Sequence, residues 1–495
     1  MQHRLIRGAG LAGMVALLAA CAQTPTAPLP ELPSAPAFRQ TDGPWVSAEP
    51  ADAAPRGDWW TVYRDPELDR LQQQLLANSP DLASALARYE QARAASDTLR
   101  AAQSPTVGTS LDLQRNRQSE RRPLRVLGPT SPDEYNSATL GLTLAYEVDL
   151  WGRVRQRVDA GMAEAQAAEA DLAAARLALQ AQLADTLLAL RGLDHEAVLL
   201  RDSEAAYARA AELVGQRHSA GIASGLDLAR AETQLEATRS QRQQLQARRA
   251  VQQNAIAALV GAHASTFSIA PQVLDQTVPV IPVGLPSTLL QRRPDIAAAQ
   301  RRVAAASASV GVARSAIFPA LNLNAAGGFQ SSSLSRFIEA PNLFWAIGPS
   351  LVASVFDGGR RRAETARAEA ALDEAGQRYR AVVLGAFQQV EDQIALLSNY
   401  GEAAATERRA VMASQRASDL AETRYREGAT SYLEVVTAQA ALLQARRSGL
   451  DLETRQRRAT VQLVRALGGA WSATDPPQPP DALASVDSIR TGTTR

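Results

Sequence analysis

The chain carries one run of structural punctuation twice, and that repetition confines it to folds assembled from two copies of a single unit. Asn78-Ser79-Pro80-Asp81-Leu82 matches Arg292-Arg293-Pro294-Asp295-Ile296, and Ser104-Pro105 matches Phe318-Pro319, both at an offset of 214 residues (294 − 80). Further on the offset is 207 (348 − 141). Gly141 pairs there with Gly348, Gly152-Arg153 with Gly359-Arg360, Gly221 with Gly428, Asp227 with Glu434 and Gly261 with Gly468. The difference falls between Pro105 and Gly141, in a loop that is longer in the first copy. A chain of 495 residues would otherwise suggest about three domains of roughly 150 residues each, a count that an internal repeat overrules.

Each copy opens with a helix. Pro80 and Pro294 occupy the first turn, where a missing N–H costs nothing, and each helix stops near the next proline. The period then changes to two. From Leu140 to Leu150 every even position is apolar and the odd ones are small, polar or acidic, as in a strand with one greasy and one wet face. The same alternation runs through Val107, Leu111 and Leu113, through Leu321, Leu323, Ala325 and Phe329, and through Leu343, Trp345, Ile347, Leu351 and Val355. That makes two strands per copy, with a bulge or bend expected at Pro349. A long proline-free stretch of helix formers follows each pair, from Gly152 to Gly261 and from Gly359 to Gly468. Leu183, Leu187 and Leu190, matched by Val390, Ile394 and Leu397, give each an apolar stripe. Glycine followed by an acid breaks each stretch once, at His218–Asp227 and at Arg426–Glu434, which fits a turn between two helices.

Strands of about ten residues with a period of two suit a tilted crossing of an outer membrane, lipid on one side and water on the other. A soluble sheet would need a hydrophobic layer against its greasy face, and the flanking helices are too solvated to supply one. Four strands do not close a barrel, because unpaired edges are not tolerated in lipid. The chain is therefore expected to oligomerise, a dimer giving 8 strands, a trimer 12 and a tetramer 16; periodicity does not choose among them.

The chain ends are of a different kind. Arg4 and Arg7 precede an apolar run, Leu11 to Ala20, too short to span a bilayer, so residues 1–20 read as a signal peptide. Leu18-Ala19-Ala20-Cys21 resembles a bacterial lipobox, which predicts acylation of Cys21, the only cysteine, with a diacylglycerol and an N-acyl chain. Ala22 after it resembles a signal for sorting to the outer membrane. Residues 21–57 read as a lipidated, Pro-rich tether, and 475–495 as a disordered tail. Between them the first copy covers 58–270, with a β-hairpin at about 106–150 and a helical hairpin at about 152–261. The second covers 271–474, with corresponding hairpins at about 320–356 and 359–468.

With 52 Lys+Arg against 51 Asp+Glu the formal charge is +1, which disfavours a nucleic-acid partner. His3, His195, His218 and His263 have no metal-ligand spacing, and no catalytic set can be assembled, so no enzyme, metal or other cofactor is expected. Arg424 to Leu433, Ala466-Leu467-Gly468-Gly469-Ala470-Trp471, Glu147 to Arg153, and Trp59-Trp60 near Asp65-Pro66 resemble the TolC/OprM outer membrane factors. The likeness is narrower still to the lipoprotein, NodT-like subgroup serving RND (resistance-nodulation-division) efflux systems, and it covers nearly the whole mature chain.

The resemblance implies an α+β membrane protein: a homotrimer with a 12-stranded β-barrel, four strands per chain, in the outer membrane, continued by a long α-helical coiled-coil barrel in the periplasm. It implies a passive duct for drugs or other small molecules, with a periplasmic adaptor and an inner-membrane RND transporter as partners and outer membrane lipids around the barrel. Gly221, Ile222, Ala223, Gly428, Ala429 and Thr430 would be the adaptor-docking tips. Glu434, with Tyr425, Asp227 and Thr437, would form the periplasmic gate, where three copies of Glu434 bring like charges together unless cations or arginines such as Arg424 or Arg426 relieve them. Thr437 stands where close relatives often have Asp, which makes the constriction less acidic. Two other functions fit parts of the pattern: a lipid-anchored periplasmic coiled-coil scaffold, which leaves the strands unexplained, and the exit duct of a type I protein secretion system.

Overall fold

The computed structural model describes residues 58–119, 133–273, 278–279 and 293–469. Cys21, the signal and tether segments, the tail and Ala470-Trp471 lie outside the described residues, as does most of the loop between the first two strands. In chain order the elements are α1 (Pro66–Asn78), α2 (Pro80–Ala101), β1 (Thr106–Arg117), β2 (Glu134–Val148), α3 (Arg153–Ser219), α4 (Gly225–Leu259), α5 (Pro294–Ser315), β3 (Ala320–Ser331), β4 (Leu343–Val352), α6 (Arg360–Arg426) and α7 (Tyr432–Ala466). Lengths recur in pairs: α2 and α5 have 22 residues, β1 and β3 have 12, α3 and α6 have 67, and α4 and α7 have 35. None of the described helices is long and apolar enough to cross a membrane.

The chain divides into two compact units, one holding residues 89–168 and 299–379, the other holding the remaining described residues. The first unit contains a four-stranded antiparallel meander in the order β1-β2-β3-β4. Its register pairs Val107 with Leu144, Leu144 with Ala325 and Ala325 with Ile347. The ladder continues through Pro349, opposite Leu323, without the bulge that proline suggested. Within the single chain β4 is paired on one side only, and proline is tolerated on such a strand. Opposite Gly141 stands Gly328, and a Cβ at Gly328 would lie 2.0 Å from the Leu140 carbonyl oxygen, so these two strands approach as only glycine permits.

The second unit is helical. Leu183, Leu187 and Leu190 of α3 are fully buried against Leu68, Leu71 and Leu75 of α1, with Trp59, Trp60, Ile256 and Val461 in the same core. Burying each such leucine is worth about 1.5–3 kcal/mol. The matching stripe Val390, Ile394 and Leu397 of α6 packs on Leu463, Ala466 and Leu467. Both stripes are the ones the helical period predicts.

A buried ionic clamp ties the first stripe to the segments around it. Arg191 donates to Asp65 (3.2 Å), Asp194 (3.3 Å) and Gln272 (3.1 Å), and Arg249 donates to Asp194 (2.7 Å) and the Ile269 carbonyl (2.8 Å). Asp65 also accepts from Glu67 N–H, capping α1. Two aspartates and two arginines balance, which is what allows charges to be held inside at all.

Candidate functional site

The register sorts the sheet into two faces. On one lie Val107, Leu111, Leu113, Leu140, Leu142, Leu144, Tyr146, Leu321, Leu323, Phe329, Leu343, Trp345, Ile347 and Leu351, with Arg115 and Arg117 ion-paired to Glu134 at the β1–β2 end; on the other lie Ser110, Asp112, Gln114, Thr139, Thr143, Asn322, Asn324 and Ser350, interspersed with glycine and alanine, with Tyr135, Phe344 and Val352 at the strand ends. Trp345 is 75% exposed and Ile347 76%, so the apolar face is bare in the single chain. At the end of the sheet where the helices attach, Trp151 stacks on Phe318 (4.7 Å between centroids) and donates its indole N–H to the Pro319 carbonyl at 2.8 Å. Glu147 there pairs with Arg153, and Asp149 accepts from the N–H groups of Val154 and Arg155, capping α3.

The helical unit presents two turns, α3–α4 and α6–α7, built alike. Gly221 N–H donates to His218 O (2.9 Å) and Ile222 N–H to Arg217 O (2.8 Å); Gly428 N–H donates to Tyr425 O (3.1 Å) and Ala429 N–H to Arg424 O (2.8 Å). This paired pattern closes a helix on a left-handed residue, and φ is +74° at Gly221 and +75° at Gly428. A Cβ at either would meet nothing within 4 Å among the described residues, so backbone conformation, not crowding, calls for glycine. Ile222 is 75% exposed at the first turn, and Ala223 packs inward. The Thr430 hydroxyl is buried with no hydrogen-bond partner among the described residues.

Beneath the turns Val214, Ala231, Ala421, Tyr432 and Val435 form a small core, flanked by Tyr425. The Tyr425 and Tyr432 rings are 5.2 Å apart. Arg217 lies 4.9 Å from the Tyr425 ring centroid and donates to the Tyr425 and Arg426 carbonyls, both at 3.4 Å, at the end of α6. One guanidinium thus joins the two hairpins through a ring face and the negative end of a helix. Burial pushes the Tyr432 hydroxyl up to about 12.

The two turn acids differ. Asp227 accepts from the Ser224 hydroxyl (2.7 Å), Ser224 Oγ accepts from Asp227 N–H (3.1 Å), and Arg230 lies 3.6 Å from the carboxylate. Glu434 is exposed, Ser431 makes no side-chain cap, and no ion pair to Glu434 is present among the described residues. Arg426 bonds to Glu422, so the relief that Arg426 offered Glu434 in the sequence is not made within the chain. Thr437 donates to the Leu433 carbonyl at 2.8 Å and is spent on its own helix. The sequence pattern did not single out Arg217, although the offset of 207 sets it against Arg424 at the start of the second turn motif. Among the described residues no group of three or more His, Cys, Asp or Glu could hold a metal.

A sheet apolar on one side and polar on the other, carried with two long helical hairpins on one chain, is the protomer of an α+β channel fold. The family model described as "Outer membrane efflux protein" matches residues 71–262 and again 285–469. The chain belongs to that family, whose members are transport channels. It is 32% identical over 471 residues to the pyoverdine export outer membrane protein OpmQ of Pseudomonas aeruginosa, covering 94% of this chain and 98% of that one. It is 32% identical to the outer membrane protein OprJ of the same organism, covering 84% and 86%. The Campylobacter jejuni CmeC outer membrane channel superposes with a TM-score of 0.85 at 22% identity, covering 94% and 98%, a likeness of fold. The protein is the outer membrane component of an efflux pump and extends into the periplasm.

Proposed function

We propose that three copies of this chain join into a 12-stranded barrel, continued by a helical barrel, and that the assembly passively conducts drugs or other small molecules delivered by an inner-membrane RND transporter through a periplasmic adaptor. The observation that carries this reading is the two-faced sheet with two open edges. β1 and β4 are each paired on one side only, and in a four-stranded meander they run antiparallel, so β4 of one copy suits β1 of the next. In lipid such edges must be closed. The recurring element lengths support a duplicated unit, 58–270 and 271–474, which would give the helical barrel near-equivalent hairpins around its ring.

In this reading the turns at Gly221-Ile222-Ala223 and Gly428-Ala429-Thr430 receive the adaptor, and Cys21 carries the lipid anchor. Glu434, the turn acid with no ion pair among the described residues, is the charge that three copies bring toward the axis, with Tyr425, Asp227 and Thr437 around it. A scaffold without a pore leaves the apolar sheet face without a purpose. Bilayer recordings of the purified assembly test the gate: Glu434→Ala raises conductance or weakens cation preference, and traces indistinguishable from the parent's remove Glu434 from the constriction.

A further inference from the structure

Resting on the trimeric barrel reading, we infer that Asp112 sets a cation preference in the barrel lumen. The register places on the polar face Thr106, Gly108, Ser110, Asp112, Gln114 and Asn116 of β1; Tyr135, Ser137, Thr139, Gly141, Thr143, Ala145 and Glu147 of β2; and the even-numbered residues of β3 and β4, all of them neutral. Two of these side chains carry charge. Glu147 lies at the end of its strand and is neutralised by Arg153. Asp112 sits midway along β1, is exposed, and has no ion pair or hydrogen bond among the described residues; its cross-strand neighbour is Thr139. Among the described residues of this water-facing wall Asp112 is the one charge without a partner, and it sets the sign of the potential there.

Geometry sets the size of the effect. Twelve strands spaced about 4.8 Å apart and tilted about 45° give a barrel radius of about 13 Å, and an aspartate side chain brings its carboxylate to about 10 Å from the axis. That is one Debye length at about 0.1 M salt, where three such charges favour a monovalent cation over an anion by roughly fivefold in water-like dielectric. At about 1 M salt the Debye length is about 3 Å and the preference shrinks to roughly 1.2-fold.

The test is made from outside intact cells, so that the state of the periplasmic end does not enter. Ser110→Cys puts a thiol two residues along on the same face, and Leu111→Cys puts one on the opposite face, with the parent chain giving the background from Cys21. Each is treated with a cationic (trimethylammonium-ethyl) and an anionic (sulfonatoethyl) methanethiosulfonate. The ratio of the two rates cancels the thiolate fraction and reports the local potential. Adding Asp112→Asn to Ser110→Cys lowers the cation-to-anion rate ratio about fivefold at 0.1 M salt and hardly at 1 M, and Asp112→Lys inverts it. A ratio at 0.1 M that ignores both substitutions overturns the inference and leaves the channel standing. Labelling of Leu111→Cys in place of Ser110→Cys overturns the barrel reading, and this inference with it.

Discussion

At the scale of single residues, the sheet depends on the absence of a side chain at one point. A methyl group at Gly328 would sit 2.0 Å from the Leu140 oxygen and 2.9 Å from Gly141 Cα, and both are backbone atoms that do not swing aside. Gly328→Ala therefore separates β2 from β3 where the pairing is closest, and the heat-resistant folded band on a detergent gel is lost. Gly348 on the edge strand has nothing within 4 Å of a Cβ among the described residues, and Gly348→Ala keeps the band. The repeat alignment pairs Gly141 with Gly348, but the sequence does not show that Gly141 faces Gly328 across the ladder. That contact depends on strand register, which no spacing along one strand reveals.

At the scale of elements, the period-two runs and the proline-opened helices were legible because each element announces its own period. The clamp of Asp65, Arg191, Asp194 and Arg249 was not, since its members are spread over nearly two hundred positions and only packing brings them together. Arg191→Met leaves Asp65 and Asp194 buried short of their partner and destabilises the helical unit by about 3–5 kcal/mol, read as a lower thermal midpoint by circular dichroism. At the α6–α7 turn the sign of the pH dependence follows from Tyr432. Its folded-state hydroxyl titrates near 12, against about 10 when unfolded, so the folded turn holds the proton more tightly. The stabilisation is fully present below pH 10 and is lost as the pH rises from 10 to 12. Absorbance titration at 295 nm of the parent against Tyr432→Phe isolates this one phenol, and a midpoint near 10 contradicts the burial.

At the scale of the whole molecule, the single chain is incomplete by its own chemistry. Its apolar sheet face is bare, its sheet has two open edges, and the acid at its second turn has no counter-charge among the described residues. Four strands led the sequence reading to expect closure by more than one copy and left 8, 12 and 16 strands open, because the number of copies is a property of curvature between chains and not of the period within one. Resemblance chose three. Native mass spectrometry of the protein extracted from outer membranes in detergent tests this most directly. The expected species holds three chains, each heavier by the acyl groups on Cys21; a folded species of one, two or four chains rules out the 12-stranded barrel.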